Sequence, residues 1–424
     1  MKIHFVTLGC KLNHSESEML ARQFVLAGHE IVNDSALADL AVINTCTVTH
    51  VAAQKSRYEA RRAKRTAPHV RTVVTGCHAE VAPAEFSGAD WVVGNAQKEQ
   101  IPVRFVSGVP SAHQEGGLLP GPETEADGPL FPATLGLTRA FVKIQDGCDM
   151  RCTFCLTRIA RGRSRSRPAA AILDDVRRWV TEGGQEVVLT GVHLGAYGRD
   201  LGTDLDRLAR LILEETELPR LRLSSLEPWN FRTEWLRLWE SPRVCRHLHM
   251  SLQSGSDSVL RRMGRPYTAE LFAEKVALAR RVIPDLAVTT DMIAGFPGET
   301  DEAFTESVAF MREIGFSRTH VFPFSRRPGT EAADMPDQVP HRIKQARAAA
   351  LRAVGEENGR EFCASLLGQT LPILWEQPSQ HPDEWSGLTD NYVRVFARSD
   401  RSLHNRIVPA QLMALVDQGM TGEL

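Results

Sequence analysis

Over roughly the first hundred residues, short apolar runs alternate with longer mixed segments. IHFVTL, LAVIN and VRTVVT are rich in Val, Ile and Thr, and each has strand length. Between them, Ser15–Ala27 and Thr49–Arg65 are long enough for crossover helices. This β-α-β alternation predicts a parallel sheet. Residues 108–138 hold six Gly and five Pro with neither helical nor strand period, which is linker chemistry. From Arg139 onward strand-like runs return at wider spacing: AFVKI, EVVLT, LRLSSL, HLHMSL, LAVTTDMI and HVFPF. Helical segments such as Pro168–Thr181 and Ala269–Arg281 separate them, and six such β-α units predict a closed or partial parallel barrel. After a charged helix at Arg342–Glu361, GQTLPILWE and WSGLTDNYVRVFARS read as short strands with Gly and Asp turns, fitting a small β-barrel. The expected class is α/β. An N-terminal parallel-sheet domain (1–107) and the linker (108–138) precede a partial β/α barrel (139–364) and a small β domain (365–424).

Each of the first three strands ends in a cysteine: TLGC at Cys10, INTC at Cys46, VTGC at Cys77. Successive strands of a parallel sheet end on one edge, where ligands bind, so these thiols are expected to converge without any local motif. A second set follows AFVKIQDG, where Cys148, Cys152 and Cys155 are spaced C-x3-C-x2-C with no fourth cysteine nearby.

Composition adds less. Hydrophobic content of 42% and charged content of 24% are ordinary for a globular protein, and the net charge of −2 gives no global basic field. Eight cysteines in a chain that reads as cytosolic argue for ligands or buried thiols rather than a disulfide framework. The apolar run near Met1 is far too short for a signal-peptide core or a membrane span, so no membrane partner is expected. GFPGET has no Walker lysine and is not a phosphate loop.

A structural zinc site needs a fourth ligand, and none lies at ligand spacing around Cys148. A 4Fe–4S cluster explains three thiolates better, because one iron then stays free for a substrate or cofactor. C-x3-C-x2-C after the first strand of a β/α barrel resembles the radical S-adenosylmethionine (SAM) superfamily. That resemblance implies that the open iron chelates the amino and carboxylate groups of SAM, which the reduced cluster cleaves to a 5′-deoxyadenosyl radical.

TLGCKLNHSES, INTCTVTHVAAQKSR and VVTGC further resemble the N-terminal domain of the methylthiotransferases, as do ARGRSRSRP, LTGVHLGAYG, MSLQSGSDSVLRRMGRPYT, DMIAGFPGET and FPFSRRPGT in the core. The final segment is similar to a TRAM domain, an RNA-binding module. The resemblance implies a second 4Fe–4S cluster on Cys10, Cys46 and Cys77 that carries the sulfur to be donated. It also implies SAM contacts at Gly191, Glu227, Gln253, Ile293 and Gly295. The signatures TLGCKLN, NTCTVT and QDGC look most like the kind acting on threonylcarbamoyladenosine in tRNA. Other kinds act on isopentenyladenosine in tRNA or on an aspartate of a ribosomal protein. An electron-transfer protein without catalysis is the alternative of a different class, but two closed clusters would need eight ligands. One departure from the family is LTRIAR (Leu156–Arg161), where an IIPxAR-like run is usual.

Such an enzyme needs a tRNA substrate, a reducing electron donor and a sulfur source. Two basic stretches are candidates for the RNA backbone: Thr49–Arg71, with Arg61 and Arg62, and the run RIARGRSRSR, with Arg161, Arg163 and Arg165. The β domain has four Arg, no Lys and seven acidic residues, so phosphate gripping would require its Arg on one face. Otherwise Trp385 and Tyr392 could stack on bases, or the domain serves to position other parts.

Overall fold

The computed structural model describes residues 1–106, 138–379, 381 and 383–424. Apart from Thr138, the expected linker lies outside the described residues. The chain divides into two compact units, Met1–Leu137 with Leu156–Gly162, and Thr138–Cys155 with Arg163–Leu424. No helix among the described residues is long and apolar enough to cross a membrane.

The first unit runs β1 (Lys2–Thr7), α1 (Lys11–Leu26), β2 (Glu30–Ile31), β3 (Leu40–Thr45), α2 (His50–Thr66), β4 (Arg71–Gly76), α3 (Cys77–Val81), β5 (Trp91–Val93) and α4 (Ile101–Val106), with α5 (Thr157–Arg161) added from the later segment. Its sheet is parallel, in the order β2-β1-β3-β4-β5. Both faces are covered, and β3, LAVINT, is buried throughout. The strand period of two sends Leu40 and Val42 into one core with Ile3, Phe24 and Val73, and Ala41 and Ile43 into the other with Val70, Val74 and Phe86. Thr49 caps α2 by accepting the Ala52 N–H at 3.1 Å.

The second unit opens with β6 (Arg139–Lys143), followed by the short pair β7 (Gln145–Asp146) and β8 (Arg165–Ser166). Then come α6 (Ala169–Thr181), β9 (Glu186–Thr190), α7 (Leu205–Glu215), β10 (Arg220–Leu223), β11 (Ser225–Leu226), β12 (His247–Met250), α8 (Asp257–Arg262), α9 (Ala269–Val282), β13 (Ala287–Ala294), α10 (Asp301–Ile314), β14 (Arg318–Pro323), α11 (Glu331–Asp334) and α12 (His341–Ala364). Two parallel sheets, β10-β9-β6 and β11-β12-β13-β14, share the stretch Arg220–Leu226 and make a six-run open barrel, in line with the expected six units. Helix α7 buries Leu205, Leu208, Ala209 and Ile212, the i, i+3, i+4, i+7 stripe of a helix packed on a sheet. The strands β15 (Thr370–Pro378), β16 (Glu384–Thr389), β17 (Arg394–Arg398), β18 (Arg406–Val416) and β19 (Gly419–Glu423) close into a barrel around Trp375, Ile373, Val395 and Leu412.

That barrel is joined to the β/α sheet by arginines at the start of β6, along β10 and beside β12. Arg222 is fully buried and holds Glu186 through two bonds, Nε–Oε1 at 2.7 Å and Nη2–Oε2 at 3.2 Å. Its remaining donor reaches the Asp390 carbonyl at 2.8 Å. Arg220 donates to the Leu388 carbonyl at 3.0 Å, Arg139 pairs with Glu376 at 2.9 Å and Arg246 with Asp390 at 2.6 Å. Two of the acids that made the β domain net negative therefore face arginines of the core. Tyr392 stacks on His247 with ring centroids 4.6 Å apart and has Arg222 over it, and Trp385 packs against the barrel core. Tyr392 is thereby committed to this junction rather than open to stack on bases.

Burial by itself would raise the Glu186 carboxyl, but Arg222, with Arg139 and Arg220 behind it, lowers it to about 2. The folded value lies below the ordinary 4.5, so the ion pair contributes fully above that pH and is lost as pH falls toward about 2. Replacing Arg222 by Ala removes both hydrogen bonds to the buried Glu186 carboxylate, leaving only Arg220 and Arg139 to oppose its charge, and should cost about 3–5 kcal/mol. The expected readout is a lower urea midpoint at neutral pH. The apolar double replacement Glu186→Leu with Arg222→Met should recover much of that loss.

Candidate metal centres

In the first unit the strand register determines where the thiols stand. Thr45 pairs with Gly76 at the last rung between β3 and β4, so Cys46 and Cys77 each follow directly on a strand end. Cys10 caps the start of α1, three residues beyond β1. The turn before it needs Gly9, whose φ is +99° and whose added Cβ would lie 2.6 Å from the Cys46 Cβ. Gly76, at φ +98°, has the same constraint, since a Cβ there would lie 2.4 Å from the Thr45 carbonyl oxygen.

Burial pushes the Cys46 thiol up to about 12, and the neighbouring Cys10 and Cys77 add to the rise. Cys77 is raised too, first by burial, with Arg161 and Lys98 opposing the rise. Thiols crowded at one strand edge become favourable ligands once a cation takes their protons' place. Among the described residues no group of His, Cys, Asp or Glu closes around a single ion. A polynuclear cluster, whose separate irons each take one thiolate, fits the donor set.

Beneath the thiols lies a buried polar network that sequence reasoning did not find. Glu16 of α1 receives Arg161 Nη1 at 2.7 Å on one oxygen and Lys98 Nζ at 2.5 Å on the other. Asn13 accepts Arg161 Nη2 at 2.8 Å and donates to the Leu8 and Thr45 carbonyls at 2.7 and 3.0 Å. Arg161, expected to meet RNA, is thus buried and bonded within this unit, beyond the reach of a phosphate backbone. Arg61 and Arg62 on α2, and Arg163 and Arg165 in the second unit, are exposed.

In the second unit, Cys148, Cys152 and Cys155 occupy the loop after β7. Burial raises the Cys148 thiol to about 11, with Cys155 and Cys152 contributing. The Met150 N–H donates to its sulfur at 3.4 Å, a bond that also suits a cluster thiolate. The five residues expected at the cofactor all lie at strand carboxyl ends. Gly191 follows β9, where a Cβ would lie 3.0 Å from the Gln145 Oε1. Glu227 follows β11, and burial raises its carboxyl to about 7 while the Gly195 N–H donates to it at 3.2 Å. Gln253 takes a left-handed φ of 73°. It bridges to β13 by accepting the Ile293 N–H and donating its own to the Asp291 carbonyl, both at 2.8 Å. Gly295, at φ 72°, ends β13 with its N–H on Glu299 at 2.8 Å.

Other residues around this loop carry no assigned role in the sequence pattern. His193 stands with Nδ1 3.7 Å from the Cys148 sulfur and Nε2 2.5 Å from Asn230 Nδ2, and burial lowers it to about 4, so it is neutral near pH 7. Arg265 lies over both Phe154 and Trp229, at 5.4 and 5.5 Å, and its charge acts on Cys152 and Cys155. GRPYT, which holds Arg265, reads from the sequence only as a signature; a cation flanked by small and aromatic residues was the available cue.

Residues 142–311 match the radical SAM superfamily, and residues 2–94 match a family described as uncharacterized protein family UPF0004. The chain is 37% identical to a threonylcarbamoyladenosine tRNA methylthiotransferase MtaB of Bacillus subtilis, over 97% of this chain and 93% of that protein. It is 33% identical to a tRNA-2-methylthio-N(6)-dimethylallyladenosine synthase of Pelotomaculum thermopropionicum, over 100% and 97%. Among solved structures, the radical SAM methyltransferase TsrM of Kitasatospora setae shares the fold, with a TM-score of 0.58 at 17% identity over 78% of this chain and 75% of that one. A parallel sheet and an open β/α barrel, each ending in a three-thiol site, define a radical SAM enzyme with an auxiliary cluster. The chain belongs to the radical SAM methylthiotransferases.

Replacing Cys148 by Ala should remove about half of the roughly eight irons of the reconstituted protein and abolish SAM cleavage. Gly9→Ala should remove the other half through its clash with Cys46 and leave SAM cleavage in place. Iron analysis and 5′-deoxyadenosine release measure both.

Proposed function

We propose that the protein inserts a methylthio group at C2 of N6-threonylcarbamoyladenosine beside the anticodon of tRNA. The observation that carries this reading is the presence, in one chain, of two groups of three thiols, each gathered at the carboxyl ends of parallel strands. Three thiolates at each site would leave a bound cluster room for one further ligand, the cofactor at one site and the sulfur at the other. The relatives named for threonylcarbamoyladenosine support the choice of nucleoside.

Cys148, Cys152 and Cys155 would hold the cluster whose chemistry is reductive cleavage of SAM to a carbon radical. Cys10, Cys46 and Cys77 would hold the cluster that presents sulfur. Gly191 leaves room for backbone to approach the methionine group, and Glu227, Gln253, Ile293 and Gly295 line the same strand ends. Neutral His193 and Glu227 orient one another and the Gly195 turn next to Cys148. The protein's part is to bind, orient and exclude water, while the cofactors carry the bond-breaking chemistry. The reaction draws on an external reductant and an external sulfur source, and the protein would work in the cytoplasm with tRNA.

For the RNA backbone, Arg61, Arg62 and Arg65 are exposed on α2. Beside them Tyr58 is 53% exposed with Arg65 over its ring at 5.9 Å, a surface that offers a stacking face among cations. Arg163 and Arg165 would add phosphate partners in the second unit. Charge reversal of Arg61 and Arg62 together should weaken tRNA binding and reduce the salt slope by about 1 for each phosphate no longer neutralised. An unchanged slope would remove α2 from the interface.

The dimethylallyladenosine synthases, similar over the full chain, supply a second reading of the substrate. Nucleoside mass spectrometry of tRNA from cells lacking the gene separates the two. The expected outcome is loss of the 2-methylthio form of threonylcarbamoyladenosine with accumulation of its unthiolated precursor. Loss confined to the isopentenyl nucleoside would select the second reading. Loss from a ribosomal protein alone would overturn both.

A further inference from the structure

Arg161 makes a contact that cluster binding by three cysteines does not require. Its Nε donates to the Cys77 sulfur at 3.2 Å, and its two terminal nitrogens are taken by Glu16 and Asn13 at 2.7 and 2.8 Å. The Arg161 and Glu16 side chains are 2% and 3% exposed, so the guanidinium has one orientation rather than a range of them. Glu16 also holds Lys98, whose side chain is 2% exposed. Glu16 thus sits between the Arg161 and Lys98 cations, all three buried in the unit that holds Cys77. Buried charge is costly unless something opposite in sign meets it, and a cluster held by three thiolates is such a group. Asn13 is itself anchored to the backbone carbonyls of Leu8 and Thr45, which lie just before Cys10 and Cys46 in the chain. The whole arrangement is therefore tied to the strand ends that carry the cysteines.

We propose that Arg161 is a positioning residue of the auxiliary site, donating a charge-assisted hydrogen bond to the Cys77 sulfur that stabilises the reduced, more negative state of the cluster bound there. The proposal rests on the reading of Cys10, Cys46 and Cys77 as cluster ligands. Hydrogen bonds to cluster sulfurs and nearby positive charge favour the added electron, and partners beyond the ligands orient the ligands themselves. Arg161 lies six residues beyond Cys155, the last thiol of the radical site, so one short peptide carries both a ligand of one cluster and a hydrogen-bond donor to the other. Arginine suits this place better than lysine, because a planar fork can bind Glu16, Asn13 and a sulfur at once.

The test uses the full chain with Cys148, Cys152 and Cys155 replaced by Ala, so that only the auxiliary cluster contributes signal. Arg161→Lys and Arg161→Gln are compared with Arg161 in that protein by iron content and an EPR-monitored redox titration. The expected result is full iron for the lysine variant, with at least a tenfold shift of the one-electron equilibrium toward the oxidised cluster, a fall of about 59 mV. The glutamine variant should shift further. As a second measurement, on protein with Arg161 intact, arginine labelled with 15N at Nε should show hyperfine coupling to the reduced cluster, and the lysine variant should lack it. An unchanged potential in the lysine variant, or absence of the coupling when Arg161 is present, overturns the proposal even where the glutamine variant merely unfolds more easily. Absence of any cluster in the protein with Cys148, Cys152 and Cys155 replaced would instead sink the reading of the site, and the proposal with it.

Discussion

Parallel strand pairing is the constraint on which both three-thiol sites depend. In an antiparallel sheet, consecutive strand ends alternate between two edges, and cysteines placed after each strand would part company. Because β1, β3 and β4 run the same way, the residues after Thr7, Thr45 and Gly76 lie on one edge. The 2-1-3-4-5 order has its topological switch point between β1 and β3, where a parallel sheet is expected to bind ligands, and Cys10 and Cys46 follow those two strands. The second unit repeats the principle. Its cysteine loop and the residues after β9, β11, β12 and β13 gather at the same ends of parallel strands. Glycines at positive φ, Gly9 and Gly76 in one unit and Gly295 in the other, let the chain turn sharply at these strand ends.

Each unit also buries a carboxylate among several cations, at opposite extremes of purpose. Glu186, with Arg222, Arg220 and Arg139, sits where strands begin and binds the β-barrel to the sheet through carbonyl groups of Thr389, Asp390 and Leu388. Glu16, with Arg161 and Lys98, sits where strands end and faces thiols. Buried ion networks add little net stability over an apolar packing of the same shape, but removing one partner is expensive. Such a network therefore enforces a single geometry: a fixed seat for the barrel in one case, and a fixed guanidinium in the other.

Much of this was legible in the sequence because it rests on local pattern. Runs such as LAVIN and EVVLT read as strands since β-branched residues without polar alternation suit a strand covered on both faces, and β3 and β9 are buried along their whole length. The cysteines were legible because position after a strand has a geometric meaning. What was not legible depends on distant partners. Helix α1 starts at Lys11, not at Ser15, because polar Asn13 and Glu16 point inward to charges that the sequence places far away. Arg161 and Glu16 are 145 residues apart, so a run of five arginines gave no sign that one of them turns in while Arg163 and Arg165 face solvent. Tyr392 likewise looked available until its stacking on His247, 4.6 Å away, was visible.

The first unit is not a continuous stretch of chain. Leu156–Gly162 belongs to it, although the residues on both sides of that segment belong to the second. A gene fragment ending in the Gly- and Pro-rich stretch would encode Cys10, Cys46 and Cys77 and still lack the guanidinium that touches Cys77. Modularity at the level of exons or fusions is thereby limited: the first unit cannot be joined to a new partner after the Gly- and Pro-rich stretch with its packing complete. Any rearrangement that keeps that unit whole must carry along Leu156–Gly162, and with it the chain that runs directly on from Cys155.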